Sequence, residues 1–319
     1  MAVILRHDHS HVSEGCLDDI KAKSKNANQH RSAVIFILAS TLINSTSGLL
    51  VRSLEAATDW QIVLYRGLTL SMAVTGFVFL QYRGATIKEI RRIGLWGFFG
   101  GFFYCFTLIG YVLALTHTTV ANAVFTLSTL PFFTAVIAWL VLGERVDRVT
   151  AMAIALAFGG ISLMVGDGIA AGTLFGTLMA IMTALCFACF VVVLRKGRAT
   201  NMLPATAIGA LLAALVAIFM VDGDYLITGR DLGICLVWGA IISSVGHILI
   251  VTGSRHIPGA ELTLLILLEF IFTPLWVWLF MNEVPGSMTL IGGAVVLSAA
   301  GGRALLSMRR PQRLAGLPL

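Results

Sequence analysis

Residues 121–146 read ANAVFTLSTLPFFTAVIAWLVLGERV. From Ala121 to Gly143 the run holds no ionisable side chain, and its length matches the roughly 20 residues a helix needs to cross a bilayer core. It ends on a Glu-Arg pair, as a span does where it meets water. Composition extends this reading to the whole chain. Of 319 residues 58% are hydrophobic and 12% charged, against about 25% charged in soluble domains, which excludes a single soluble domain. After Arg31 ten apolar stretches of helix length follow: Ala33 to Val51, Trp60 to Leu80, Ile93 to Leu115, Thr119 to Leu142 and Val149 to Val165, then Leu174 to Leu194, Pro204 to Val221, Leu232 to Thr252, Ala260 to Met281 and Met288 to about Leu306. The expected fold class is an all-α integral membrane protein of ten transmembrane helices.

Basic residues are retained on the cytoplasmic side and so set the orientation. With the amino terminus inside, the tail holds Arg6, Lys21, Lys23, Lys25 and Arg31. The even-numbered loops hold Arg83, Lys88, Arg91, Arg92, Arg145, Arg148, Arg195, Lys196, Arg198 and Arg255, and Arg303, Arg309, Arg310 and Arg313 close the chain. That places 19 of the 22 basic residues inside, leaving Arg52 and Arg230 outside and Arg66 within a span. Outer positions carry Glu55, Asp59, Asp167, Asp222, Asp224, Asp231 and Glu283. Both termini are expected in the cytoplasm. The net charge of +6 is divided among loops, so it does not make the clustered basic face that nucleic acid requires.

The fourth and fifth spans repeat in the ninth and tenth at a constant offset of 139: His117 meets His256, Ala121 meets Ala260, Phe133 and Thr134 meet Phe272 and Thr273, Trp139 and Leu140 meet Trp278 and Leu279, Glu144 meets Glu283, and Thr150 meets Thr289. Five spans separate the copies, so the halves are expected to be inverted in the membrane, with substrate held near the midplane. The expected division is a cytoplasmic polar tail at 1–31, repeats at 32–168 and 169–306, and a basic cytoplasmic tail at 307–319.

The run 121–146, with its counterpart LLILLEFIFTPLWVWLFMNEVP at 264–285, resembles the segment that defines EamA-type members of the drug/metabolite transporter superfamily. The resemblance extends over the chain after Arg31. It implies two inverted five-helix halves around a central cavity, location in the bacterial inner membrane, and export of amino acids or related metabolites by a secondary-active, alternating-access mechanism. Some members import nutrients or vitamins, so uptake of a vitamin such as riboflavin is the alternative. One departure stands out: family members often have proline directly after the ninth-span glutamate, whereas here Phe270 follows Glu269 and Pro274 comes one turn later.

Charges inside a span cost at least about 2.5–3.5 kcal/mol and mark function or a specific partner. Glu269, near mid-span, suits a substrate amine or a coupling proton. Arg66 suits a substrate carboxylate, or else a tie to Glu55 and Asp59. Together the two could read a zwitterion. Polar stripes at helical spacing add Ser40, Asn44 and Ser47, then Tyr104, Thr107 and Tyr111, then Asn122 and Thr126, and Ser243 with His247. Tyr104, Tyr111, Trp276 and Trp139 are candidate aromatic walls. Pro131, Pro274, Glu144 and Glu283 are candidate gate or structural residues, the two glutamates being placed to pin the next helix start. Gly97 and Gly101 form a GxxxG packing motif. Glu261 is placed to cap the ninth helix.

No catalytic, metal or cofactor assignment is made. His117, with Thr116 and Thr118, lacks a neighbouring acid in sequence, Cys186 and Cys189 have no second pair to complete a zinc site, and His7, His9 and His11 lie in the tail. Nor is there a P-loop, so energy is expected from a gradient or exchange. The expected partners are a small-molecule substrate, the lipid bilayer and a coupling proton, with the chain a monomer or homodimer.

Overall fold

The computed structural model describes residues 29–83, 88, 91–143, 146–196, 203–253, 257 and 259–309. Ten helices are long and apolar enough to span a membrane: α1 Gln29–Arg52, α2 Asp59–Tyr82, α3 Gly94–His117, α4 Val120–Leu142, α5 Arg148–Ala170, α6 Leu174–Lys196, α7 Leu203–Met220, α8 Gly229–Ile250, α9 Glu261–Met281 and α10 Ser287–Leu306. No strand occurs among the described residues. The outward surface is apolar, with Leu140, Phe219 and Phe280 all exposed, as lipid-facing helices require. The tail histidines His7, His9 and His11, the terminal tails up to residue 28 and from residue 310, and Glu144 lie outside the described residues.

Helix starts follow capping chemistry. Thr58 accepts from the Gln61 amide and Gln61 reaches back to the Thr58 amide, closing a capping box on α2. Thr119, Asp147 and Thr228 cap α4, α5 and α8 in the same sense. α5 runs five residues past its expected end. Asp167 is consequently in its last turns rather than a loop, and its carboxylate accepts from the Thr289 amide at 3.2 Å and hydroxyl at 2.6 Å, holding the start of α10.

Proline separates the two related helices α4 and α9. In α4 the helix breaks at Ser128 and Thr129, whose hydroxyls take the Phe125 and Thr126 carbonyls at 2.6 Å each, and Pro131 sits at the start of the second piece. The position 139 residues on from Pro131 is Phe270, and α9 is unbroken there. Pro274 lies inside α9, and Thr273 donates to the Glu269 carbonyl at 2.7 Å.

Small residues set the helix contacts. α7 buries Ala205, Ala207, Ala210, Ala213, Ala214 and Ala217, and it approaches α2 so closely that a methyl on Gly67 would sit 2.9 Å from the Ala210 carbonyl. Of the expected GxxxG pair Gly101 faces Gly209 of α7, while a methyl on Gly97 would first strike Ile93, one turn before it. α5 and α10 meet at Gly160 and Gly292, each within 2.7 Å of where the other's added methyl would lie. Three pairs run antiparallel. In α2 and α7, Gly67 faces Ala210 and Ala214 while Ser71 donates back to the Ala207 carbonyl. In α4 and α9, the Val120 amide meets Glu283. In α5 and α10, Thr150 meets Arg303 at one end and Asp167 meets Thr289 at the other.

Candidate functional site

Arg66 is buried in α2 and does not reach Glu55 or Asp59. Those carboxylates are taken elsewhere, Glu55 by Arg230 and Asp59 by His117 at 2.7 Å. The guanidinium instead lies over the Trp238 ring at 4.1 Å and the Tyr111 ring at 5.3 Å. Cation–π contacts of this kind contribute about 2 kcal/mol when desolvated, comparable with the insertion cost of a mid-span cation. Its one described hydrogen bond is a long one, Nη2 to Ser243 Oγ at 3.4 Å, and Nε and Nη1 are buried with no partner. Among the described residues no carboxylate pairs with it.

The backbone of α8 explains how Trp238 and Ser243 both reach Arg66. Five positions apart, they would point about 140° from each other on an α-helix at 100° per residue. Val237–Ser243 is a π-helical stretch, whose i to i+5 register brings them onto one face. Gly239 permits the close approach, since a methyl there would sit 2.6 Å from the Arg66 carbonyl. Trp238 was not among the expected site residues, because in α-helical register it lies about 140° from Ser243, off the polar stripe of Ser243 and His247.

Four further expected residues gather here. Tyr104 and His247 are hydrogen-bonded at 3.0 Å, and His247 Nδ1 donates to the Ser243 carbonyl at 2.6 Å. A carbonyl only accepts, so Nδ1 carries the proton and, in the neutral ring, Nε2 accepts from the Tyr104 hydroxyl. Asn44 packs against Gly246, one residue from His247, and Ser40 donates to the Gly246 carbonyl at 2.9 Å. Tyr111 lies against the Arg66 guanidinium beside the Trp238 ring and within electrostatic range of Glu269. Glu269 is half-buried on α9 and forms no ion pair with Arg66 among the described residues.

Other candidates fall outside this cluster. Asn122 bonds Thr118 at 2.9 Å and Thr177 of α6 at 2.6 Å, so its amide nitrogen ties α4 to α6; its Oδ1 and the Thr126 hydroxyl are buried without a partner. Trp276 donates to Ser45 of α1 at 3.0 Å and stacks between Phe272 and Phe280. Trp139 is 54% exposed and is therefore no wall of an interior site; its indole faces the apolar exterior.

At one end of the bundle Glu283 holds the start of α4 rather than of α10. Its Oε1 accepts from the Val120 amide at 2.7 Å and its Oε2 from Arg52 Nε at 2.6 Å, while Arg52 Nη2 donates to the Thr118 carbonyl at 2.8 Å. Beside it Asp231 accepts from the amides of Glu55, Ala56 and Ala57. His117, expected to lack an acid, is the last residue of α3 and bonds Asp59, a partner distant in sequence. At the opposite end Glu261 bonds His30 at 3.0 Å.

Comparison with known proteins agrees with this architecture. Pseudopaline exporters from two strains of Pseudomonas aeruginosa are each 24% identical over 273 residues, covering 84% of this chain and 94% of theirs. A solved crystal structure superposes with a TM-score of 0.61 at 18% identity, covering 88% of this chain and 100% of that one, a likeness of fold alone. The EamA-like transporter family matches residues 31–166 and again 174–302. The chain belongs to the EamA-like transporter family, a group within the drug/metabolite transporter superfamily.

Proposed function

We propose that this protein is a secondary-active exporter of amino acids or related carboxylate-bearing metabolites, working by alternating access between two inverted five-helix repeats. The observation that carries the reading is Arg66, a buried guanidinium with Nε and Nη1 unpartnered. An unpaired cation at this depth is costly, and its planar fork matches a carboxylate. Glu269, within range of the shared neighbour Tyr111, supplies the complementary charge for an amine or carries the coupling proton. Asn44, Tyr104, Tyr111 and His247 line the same cluster. Export is favoured by the relatives, which are exporters by name. The antiparallel pairing of α2 with α7, α4 with α9 and α5 with α10 supports the inverted arrangement, and the distribution of basic residues supports an inner-membrane location with both ends cytoplasmic.

The test is exchange in proteoliposomes using a uniformly 14C-labelled mixture of L-amino acids, with and without an imposed pH gradient. Wild type exchanges label and accumulates it when the gradient is applied. Arg66→Gln and Glu269→Gln each lower exchange by tenfold or more. Normal transport by both neutral variants refutes the zwitterion reading.

A further inference from the structure

A buried hydroxyl holds the indole that covers Arg66. Ser47 is buried at the break in α1, where Thr46 and Ser45 turn their hydroxyls back to the Ile43 and Leu42 carbonyls. Its Oγ accepts from Trp238 Nε1 at 3.2 Å. The two rings stand 6.3 Å apart, at 57° to one another, with the guanidinium over both. Trp238 has no exposed surface. Three helices therefore converge on a fourth: α8 brings the indole, α1 the hydroxyl that holds it and α3 the phenol, around a cation from α2.

We infer that Ser47 and Trp238 are positioning residues for Arg66, and that they set the preference of the site for a carboxylate. This rests on the carboxylate reading of Arg66. A free arginine side chain samples many rotamers, and ordering it costs conformational entropy. With its face covered by fixed rings, only the edge of the guanidinium is left to meet a ligand. The ligand group that satisfies an edge is a planar acceptor with two oxygens, which a carboxylate is and a primary amide is not. Untying the indole frees the guanidinium, so discrimination between acid and amide is lost.

The experiment measures displacement of the 14C-labelled L-amino acid mixture from exchange in proteoliposomes by two competitors, the unlabelled L-amino acids and the corresponding L-amino acid amides. Wild type prefers acid over amide by tenfold or more. Ser47→Ala and Trp238→Phe each reduce that preference about tenfold. Ser47→Thr, which keeps the hydroxyl, retains the preference, a rescue that general packing damage does not give. If Ser47→Ala and Trp238→Phe keep the wild-type preference while Arg66→Gln has lost it, the positioning role is wrong and the carboxylate reading stands. If Arg66→Gln keeps the preference, or wild type has none, the carboxylate reading itself fails.

Discussion

Replacing Glu283 with glutamine tests whether the bonds at the ends of α1, α4 and α9 close one side of the bundle. The carboxylate accepts from the Val120 amide at 2.7 Å and from Arg52 at 2.6 Å. Its side chain is 19% exposed and that of Arg52 27%, so solvent screens the pair only in part. Glutamine can keep the bond to the Val120 amide through its oxygen, but it replaces the charged acceptor facing Arg52 with a neutral group. A hydrogen bond to a charged group is worth about 1.5–3 kcal/mol, so an open arrangement becomes roughly tenfold to 150-fold more populated. Cys235 is a native reporter: it is a free, fully buried thiol one turn along α8 from Asp231. In a variant whose other cysteines, Cys16, Cys105, Cys186 and Cys189, are replaced, a charged methanethiosulfonate reagent labels Cys235 in detergent. When opening and closing are fast relative to labelling, the rate follows the open population. Labelling at least ten times faster in Glu283→Gln is expected. A rate equal to that of the parent means that the cluster does not close this side.

Two further outcomes concern stability. Asp231→Asn weakens an acceptor buried under three backbone amides, a loss of about 1.5–3 kcal/mol. Glu55→Gln breaks only the exposed pair with Arg230, worth about 0–1 kcal/mol; thermal unfolding in detergent should rank the two variants in that order. Gly292→Ala places a methyl 2.6 Å from the Gly160 carbonyl, so α5 and α10 must separate at a cost of about 1–3 kcal/mol. Gly159→Ala, one residue away with nothing within 4 Å, leaves the unfolding midpoint unchanged or slightly higher, and equal effects of the two glycine variants would refute the close contact.

The ten spans were readable because membrane insertion imposes one requirement, a continuous apolar length, and almost nothing competes with it. Arg66, Tyr104, Tyr111, His247 and Asn44 were readable for a related reason: a polar group in such a segment needs a partner, so it turns toward other polar groups. Their actual partners were not readable. Glu55 and Asp59 looked available to Arg66 because they are near in sequence, yet each is engaged by a residue from another helix. Glu283 was expected to pin α10, but the antiparallel pairing of α4 with α9 puts the Val120 amide beside it. Trp139 looked like a wall because tryptophan is rare, whereas its helix face is set by neighbours that sequence periodicity does not name. Trp238 escaped notice because the π-helical register of Val237–Ser243 breaks the 3.6-residue pattern on which face assignment depends.

The helical segment Ser47–Arg52 connects the two regions argued above. Ser47 at its start holds the Trp238 ring over Arg66, and Arg52 at its end meets Glu283. Six residues of helix span about 9 Å and bend little, and Gly48 fits so tightly that a methyl there would lie 3.0 Å from Thr273 and from Val277 of α9. Such a piece moves as a unit, pivoting at the break before it. Releasing Arg52 must therefore disturb Ser47 and loosen the cover over Arg66, although Glu283 does not contact the guanidinium. Glu283→Gln should lower the acid-over-amide preference as well as speed the labelling of Cys235. If Cys235 labelling accelerates in Glu283→Gln while the acid-over-amide preference is untouched, the segment is not rigid and the two ends act independently.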